Sequence, residues 1–136
     1  IQGVEATSGV VWLDWNLRGS LTWLDPRNDG DNVNHDKLLP RRAKETARID
    51  ADRRFGRFSV GASVIGIGER YDNLANTTRM AGYGLADVRA GFALTEAWSV
   101  QASLNNAFDK RYETAALYNQ PGRNWLLTVR YQPVVR

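Results

Sequence analysis

YNQPGRNWLLTVRYQP, from Tyr118 to Pro133, decides how the chain is read. Counted by twos, Trp125, Leu127, Val129 and Tyr131 fall on one face, and Leu126, Thr128 and Arg130 on the other. Successive side chains of a β-strand point to opposite sides, so this strand has an apolar face and a mostly polar one. An aromatic stands near each end of the apolar face. A strand crossing a membrane within a barrel has this form: apolar toward lipid, aromatic at the two interfaces, polar toward the lumen. A strand of a soluble sandwich gives the same alternation, so the choice rests on the rest of the chain.

Working back from that strand, the pattern repeats. Asp109 to Pro121 is a polar loop. Trp98 to Phe108 sets Trp98, Val100, Ala102, Leu104 and Phe108 against Ser99, Gln101, Ser103 and Asn105. Thr95-Glu96-Ala97 is a turn. Tyr83 to Leu94 sets Ala86, Val88, Ala90, Phe92 and Leu94 against Asp87, Arg89 and Gly91. Asp72 to Ala81 is a second polar loop. Phe58 to Tyr71 sets Phe58, Val60, Ala62 and Val64 against Ser59, Gly61 and Ser63, with the alternation blurred at Ile65 and Ile67. A turn at Phe55-Gly56 leads back to Ala43–Arg53, where Ala43, Ala47, Ile49 and Ala51 oppose Lys44, Thr46, Arg48, Asp50 and Asp52, and Glu45 interrupts the apolar face. Asp25 to Arg42 is the remaining long polar loop, the first in chain order. Trp15 to Trp23 and Gly3 to Trp12 form the first hairpin, turning at Leu13-Asp14.

The result is an all-β, antiparallel, up-and-down meander of seven strands, roughly 9 to 13 residues each and longer than the usual 5 to 6. That length suits a tilted strand crossing a bilayer. Short and long connections alternate strictly, as they do in transmembrane barrels. The four prolines fall outside the strands, where no ladder donor is lost. In six of the seven strands the apolar face carries no charge, while the other face holds Arg18, Lys44, Arg48, Asp50, Asp52, Asp87, Arg89 and Arg130. A lipid-facing Arg or Lys at mid-membrane costs about 2–4 kcal/mol, and a wet lumen tolerates one. Trp12, Trp15, Phe58, Phe92, Trp98 and Tyr131 gather at the short-turn end, and Trp23, Tyr71, Tyr83, Phe108 and Trp125 at the loop end, as two aromatic girdles. These features favour a membrane barrel over a sandwich. Seven strands do not close one: single-chain bacterial barrels have even strand counts, and an open edge in lipid leaves backbone groups unpaired. The chain is therefore expected to be one arc of a larger barrel.

Composition narrows the function classes. The 136 residues carry 18 basic and 15 acidic side chains, net +3, mixed along the chain. No basic run is interleaved with stacking aromatics, so a nucleic-acid groove is not expected. Cysteine is absent and His35 is the single histidine, so no thiolate or histidine metal site and no Ser-His-Asp set is expected. No stretch approaches 18 consecutive apolar residues, so no membrane helix is expected. The opening Ile1-Gln2-Gly3-Val4-Glu5 has the character of mid-strand rather than of a signal peptide, which suggests a piece of a longer protein or a processed form.

Several local patterns have plainer readings. Asp25-Pro26-Arg27-Asn28-Asp29-Gly30-Asp31 resembles half a calcium loop, but Arg27 stands at a ligand position and no ligand glutamate follows. Gly66-Ile67-Gly68 and Gly82-Tyr83-Gly84 lack the spacing of a phosphate cradle and suit strand bends. Asn76-Thr77-Thr78 is a formal glycosylation acceptor, which would carry no meaning if the barrel is a bacterial one. Asp50 and Asp52 share a face as a carboxylate pair would, yet Arg48 and Lys44 share it too, so ion pairing across a lumen is the expectation. No enzyme, cofactor or resident metal is expected.

Leu104 to Pro133, LNNAFDKRYETAALYNQPGRNWLLTVRYQP, resembles the C-terminal end of TonB-dependent outer-membrane receptors. The likeness rests on Asn106-Ala107-Phe108-Asp109-Lys110-Arg111-Tyr112 and on Pro121-Gly122-Arg123. Gly3-Val4-Glu5, Leu39-Pro40-Arg41-Arg42 and Gly82-Tyr83-Gly84-Leu85-Ala86-Asp87 corroborate it. The resemblance implies a barrel of about 22 strands closed by an N-terminal plug, of which this chain would be the last seven strands, with plug and energy-coupling segment lying elsewhere. It implies the bacterial outer membrane as location, with membrane lipid, the TonB energy-transducing complex (through the plug) and a large scarce nutrient as partners. Tyr118-Asn119-Gln120-Pro121-Gly122-Arg123 looks most like the cobalamin receptors; a ferric-siderophore or haem receptor of the same family is the alternative, and a soluble or surface β-sandwich binding module the alternative from another class. A passive porin is disfavoured by the end motif. Family members usually end on an aromatic, whereas this chain ends Pro133-Val134-Val135-Arg136.

The three long loops are expected to lie on one side and to help hold the ligand, because binding residues on loops carried by a rigid scaffold are the rule. Asn28, Asp29, Asp31, Asn32, His35, Asn73, Asn76, Tyr118 and Asn119 are the substrate-facing candidates. Gly122 to Gln132 is expected to be the closing and assembly strand, through Gly122, Trp125, Leu127, Val129 and Tyr131. Pro133 should end its pairing for want of an N–H, leaving Val134 to Arg136 as a tail.

Overall fold

The computed structural model describes residues 1–133; the expected tail, Val134 to Arg136, lies outside the described residues. Eleven strands follow in chain order: β1 Gln2–Trp12, β2 Trp15–Asp25, β3 Glu45–Phe55, β4 Phe58–Ile67, β5 Arg70–Tyr71, β6 Arg79–Met80, β7 Tyr83–Ala93, β8 Trp98–Asn105, β9 Glu113–Ala115, β10 Tyr118–Asn119 and β11 Asn124–Tyr131. Seven of them form one sheet in the order β1-β2-β3-β4-β7-β8-β11, every pair antiparallel. This is the expected meander. Two short ribbons, β5–β6 and β9–β10, sit inside the second and third long loops.

The register fixes the faces. Trp12 pairs with Trp15 and Val10 with Leu17. Leu17 pairs with Ala51, Ala51 with Ala62, Ala62 with Val88, Val88 with Leu104 and Leu104 with Trp125. One apolar face therefore runs across all seven strands, because paired residues point the same way; Glu45 and Arg53, near the two ends of β3, place charges on it. It is exposed: Val4, Trp12, Leu21, Trp23, Ile49, Phe58, Val64, Trp125, Leu127 and Val129 are each more than half accessible. An exposed apolar face of this extent is a surface for lipid rather than for water. Strands of 11 residues, tilted, suffice for an apolar band of about 25 Å.

Tight turns close the other end. Leu13 and Asp14 both take positive φ (48° and 64°), as a two-residue type I′ hairpin demands. Gly56 at φ 59° opens the turn between β3 and β4. Thr95 Oγ1 accepts the N–H groups of Ala97 (3.2 Å) and Trp98 (3.0 Å), shaping the third turn. Phe58–Phe92 and Trp98–Tyr131 stack at 4.5 and 4.7 Å between ring centroids, so aromatics do gather at this end.

The structure corrects several sequence expectations. β3 begins at Glu45 and ends at Phe55, two residues later at each end than the pattern gave. Arg53 thereby joins the apolar face, opposite Trp15; it lies over the Phe55 ring (4.6 Å) and pairs with Asp14 at 3.2 Å, so its charge reaches the turn end. The alternation blurs at Ile65 and Ile67 because both face the polar side, opposite Leu85 and Tyr83. Tyr83 is likewise on that side, and Tyr71 sits in the β5–β6 ribbon, so neither belongs to the loop-end girdle. β4 stops at Ile67 rather than Tyr71. β8 stops at Asn105, because Asn106 turns to φ 50°; Phe108 has left the strand and is 85% exposed. β11 begins at Asn124, so Gly122 precedes the last strand. Gln132 N–H still bonds Ala97 O at 2.8 Å.

Candidate functional site

Two regions of the polar face hold the chemistry. Near mid-strand lies an ion-pair network. Arg48 donates from Nε (2.8 Å) and Nη2 (2.7 Å) to the Asp50 carboxylate, which also accepts the Ser63 hydroxyl at 2.6 Å. Arg89 Nη1 donates to Ser63 Oγ at 2.8 Å and its Nε to Asp52 Oδ1 at 2.9 Å. Arg18 reaches Asp52 from the next strand at 3.4 Å. Ser63 at the centre is only 4% exposed. Asp50 and Asp52 are thus each matched to a guanidinium, Asp52 by Arg89 rather than by Lys44. Charges so arranged stiffen a wall.

At the long-loop end, the three loops dock on one another through the middle one. Asn76 exchanges two hydrogen bonds with the Leu38 backbone, both 2.8 Å. Asp72 Oδ1 accepts Arg41 Nε of the first loop at 2.8 Å and the Ala116 N–H of the third at 3.1 Å. The Arg41 guanidinium, then the Ala116 N–H, hold the Asp72 carboxyl below the usual carboxylate range. Arg70 Nη2 donates to Glu113 O, and the guanidinium lies 5.3 Å from the centroid of Tyr83. Tyr83 stacks on Tyr112 at 4.5 Å. Burial raises the Tyr112 phenol above its ordinary value, with Tyr83 and Asp87 adding to the effect.

The motif before the last strand is a latch. Asn106, 4% exposed, exchanges bonds with the Lys110 backbone (both 2.8 Å), and its N–H donates to Asp87 Oδ1 at 2.8 Å. Asp109 Oδ1 accepts the Arg123 N–H at 2.8 Å, and a Cβ on Gly122 would lie 2.5 Å from that same oxygen. Asn106, Asp109 and Gly122 therefore bind the start of the third loop to its end. Beyond it, Trp125, Leu127, Val129 and Tyr131 lie on the apolar face of β11, each exposed.

The loop residues singled out from sequence are placed unequally. Asn28 Oδ1 accepts the Gly30 N–H, and its amide donates to Asn32 Oδ1 (3.2 Å) and Asn34 O (2.9 Å), so Asn28 and Asn32 shape the first loop from within. His35 is exposed, its Nδ1 3.3 Å from Gly30 O. Asn73 caps its own turn through Thr77 and Thr78, and Asn76 is taken up by Leu38. Asp29, Asp31, Tyr118 and Asn119 are exposed. Among the described residues no group of three or more His, Asp or Glu could hold a metal ion. The residues sequence reasoning passed over line a cleft of about 300 Å³ between β6 and the third loop: Arg79, Tyr83, Lys110, Arg111, Tyr112 and Glu113, with Asn119 at its rim. The lumen parity of Tyr83 and the run Lys110-Arg111-Tyr112 were the available signals.

Comparison with known proteins gives these regions their context. The family model described as "TonB dependent receptor-like, beta-barrel" matches residues 1–107. The vitamin B12 transporter BtuB of Vibrio vulnificus is 37% identical over 97% of this chain, and that of Photobacterium profundum 32% over 97%. The chain spans about a fifth (21%) of the length of these two relatives. Among solved structures, the siderophore receptor PiuA from Acinetobacter baumannii superposes with a TM-score of 0.76 at 22% identity, over 95% of this chain and 22% of its own. That likeness speaks to the fold. With the exposed apolar face and the meander in register, these matches show that the chain belongs to the TonB-dependent receptor β-barrel family of the bacterial outer membrane, whose relatives here are transporters and receptors rather than enzymes.

Proposed function

We propose that the chain is the C-terminal arc, the last seven strands, of an outer-membrane receptor that imports cobalamin. Plug and earlier strands would lie in other parts of the protein, and the TonB complex would act through the plug. The observation that carries the choice of ligand is the 37% identity to a vitamin B12 transporter across nearly the whole chain. The docked loops support a binding role: Asp72, Asn76 and Arg70 hold three loops in one layer, so a ligand would meet a preformed surface rather than separate mobile segments. The polar network of Arg48, Asp50, Asp52, Ser63 and Arg89 suits a lumen wall past which a plug moves, since its charges are already paired.

The test uses the full-length receptor in cells that lack their own cobalamin receptor and depend on external cobalamin. Labelled cyanocobalamin should accumulate, and removal of TonB should abolish the accumulation. Uptake of a ferric chelate with no uptake of cobalamin would overturn the choice of ligand. Cobalamin uptake indifferent to TonB would overturn the mechanism.

A further inference from the structure

The cleft between β6 and the third loop is cationic, and part of its charge is unclaimed. Arg79 on one wall is paired with Glu69. The Glu113 carboxylate on the opposite wall accepts the Leu117 N–H at 3.2 Å. Lys110 and Arg111 are both exposed, and among the described residues neither has a carboxylate within ion-pair distance. Behind the cleft stands Arg70, 4% exposed, with its guanidinium against the Tyr83 ring and its buried Nη1 without a hydrogen-bond partner. A guanidinium stays charged when buried, and a charge in low dielectric acts on its surroundings more strongly than one in water. The stacked pair Tyr83–Tyr112 supplies aromatic surface beside these cations. An anion attached to a large, partly apolar body matches that combination.

Resting on the cobalamin reading, we propose that this cleft is the subsite for the phosphodiester of the ligand's nucleotide arm, with Lys110 and Arg111 as its direct partners and Arg70 as the charge behind them. The remaining side arms of cobalamin are neutral amides, so the phosphodiester is the one group on its periphery that these cations can neutralise. A phosphate oxygen held by ammonium and guanidinium donors forms charge-assisted hydrogen bonds, the stronger kind.

The experiment compares two probes on the purified full-length receptor in detergent, free of lipopolysaccharide: cyanocobalamin, and dicyanocobinamide, which lacks the nucleotide arm and its phosphodiester. In the double variant Lys110→Gln/Arg111→Gln the Kd for cyanocobalamin should rise about tenfold, the loss expected for hydrogen bonds to a charged group, while the Kd for dicyanocobinamide stays unchanged. Raising ionic strength should weaken cyanocobalamin binding to the wild type and leave the double variant less affected. Equal weakening of both probes would mean the two residues only shape the loop, and no change in either would mean the phosphodiester lies elsewhere; each result overturns the subsite. If the wild type binds neither corrinoid, the import reading itself fails and the subsite falls with it.

Discussion

Arg89 of β7 reaches across β4 to Asp52 of β3, its Nε 2.9 Å from Asp52 Oδ1, and it crosses at Gly61. A Cβ at Gly61 would meet both the Asp52 carboxylate and the Arg89 guanidinium. The glycine is thus the opening through which two strands that do not pair with each other are tied together.

That relationship gives the first prediction. Gly61→Val should separate Arg89 from Asp52 and lower the stability of the refolded receptor by about 1–3 kcal/mol, the range for stranding a charged hydrogen-bonding group. Gly61→Ala should cost less, because the obstructing atoms are side-chain ends that can move. Urea titration of receptor refolded in lipid vesicles reads both, and a Val variant as stable as wild type would remove the bridge from the account.

Faces are tested by neighbours in one strand. Val100 shares the apolar face with Phe92 and Val129, whereas Gln101 lies opposite, beside Gly91 and Thr128. Val100→Arg should impair folding into vesicles by about 2–4 kcal/mol while Gln101→Arg is tolerated, since only the first places a charge in hydrocarbon. Equal losses from the two substitutions would contradict the assignment.

The latch before β11 should behave as a unit. Asn106→Ala removes the side chain that exchanges bonds with Lys110 and puts alanine at φ 50°, so a loss of about 1–3 kcal/mol is expected. Gly122→Ala and Asp109→Ala should each release the Arg123 N–H from Asp109, and their combination should cost less than the sum, because they break the same contact. Strict additivity in that cycle would mean the two residues do not meet.

Acid should loosen the loop layer. The Asp72 carboxyl titrates below its unfolded value in the docked state, with Arg41 the first cause. Its contribution is therefore present above the unfolded carboxylate range and is lost as pH falls through the depressed folded value. Amide hydrogen exchange at Ala116, corrected for intrinsic rates, should show falling protection on acidification. Asp72→Asn, which cannot titrate, should remove that acid step; protection that falls identically in both proteins would exclude Asp72 as the group responsible.

The sheet was legible because a membrane strand obeys one rule along its whole length. Trp125, Leu127 and Val129 meet lipid at every second position, so period and face are written directly in the residues. Strand ends were less legible, because they depend on backbone turns: Asn106 at φ 50° releases Phe108 although its parity continues the pattern. Ile65 and Ile67 were ambiguous since apolar residues also line the polar face where Leu85 and Tyr83 stand opposite them. The loop layer was the least legible part. Asp72, Asn76 and Arg70 act on residues 31 to 44 positions away, and no local pattern announces a partner at that distance.

The most direct test of the central claim, that this sheet crosses a membrane with one face in lipid, is a nitroxide scan of β8 from Trp98 to Asn105 in the full-length receptor reconstituted in vesicles. Labels at positions 100, 102 and 104 should be relaxed strongly by oxygen, which concentrates in the bilayer, and those at 99, 101 and 103 should not share that response. Absence of the two-residue alternation, or the opposite phase, would contradict it.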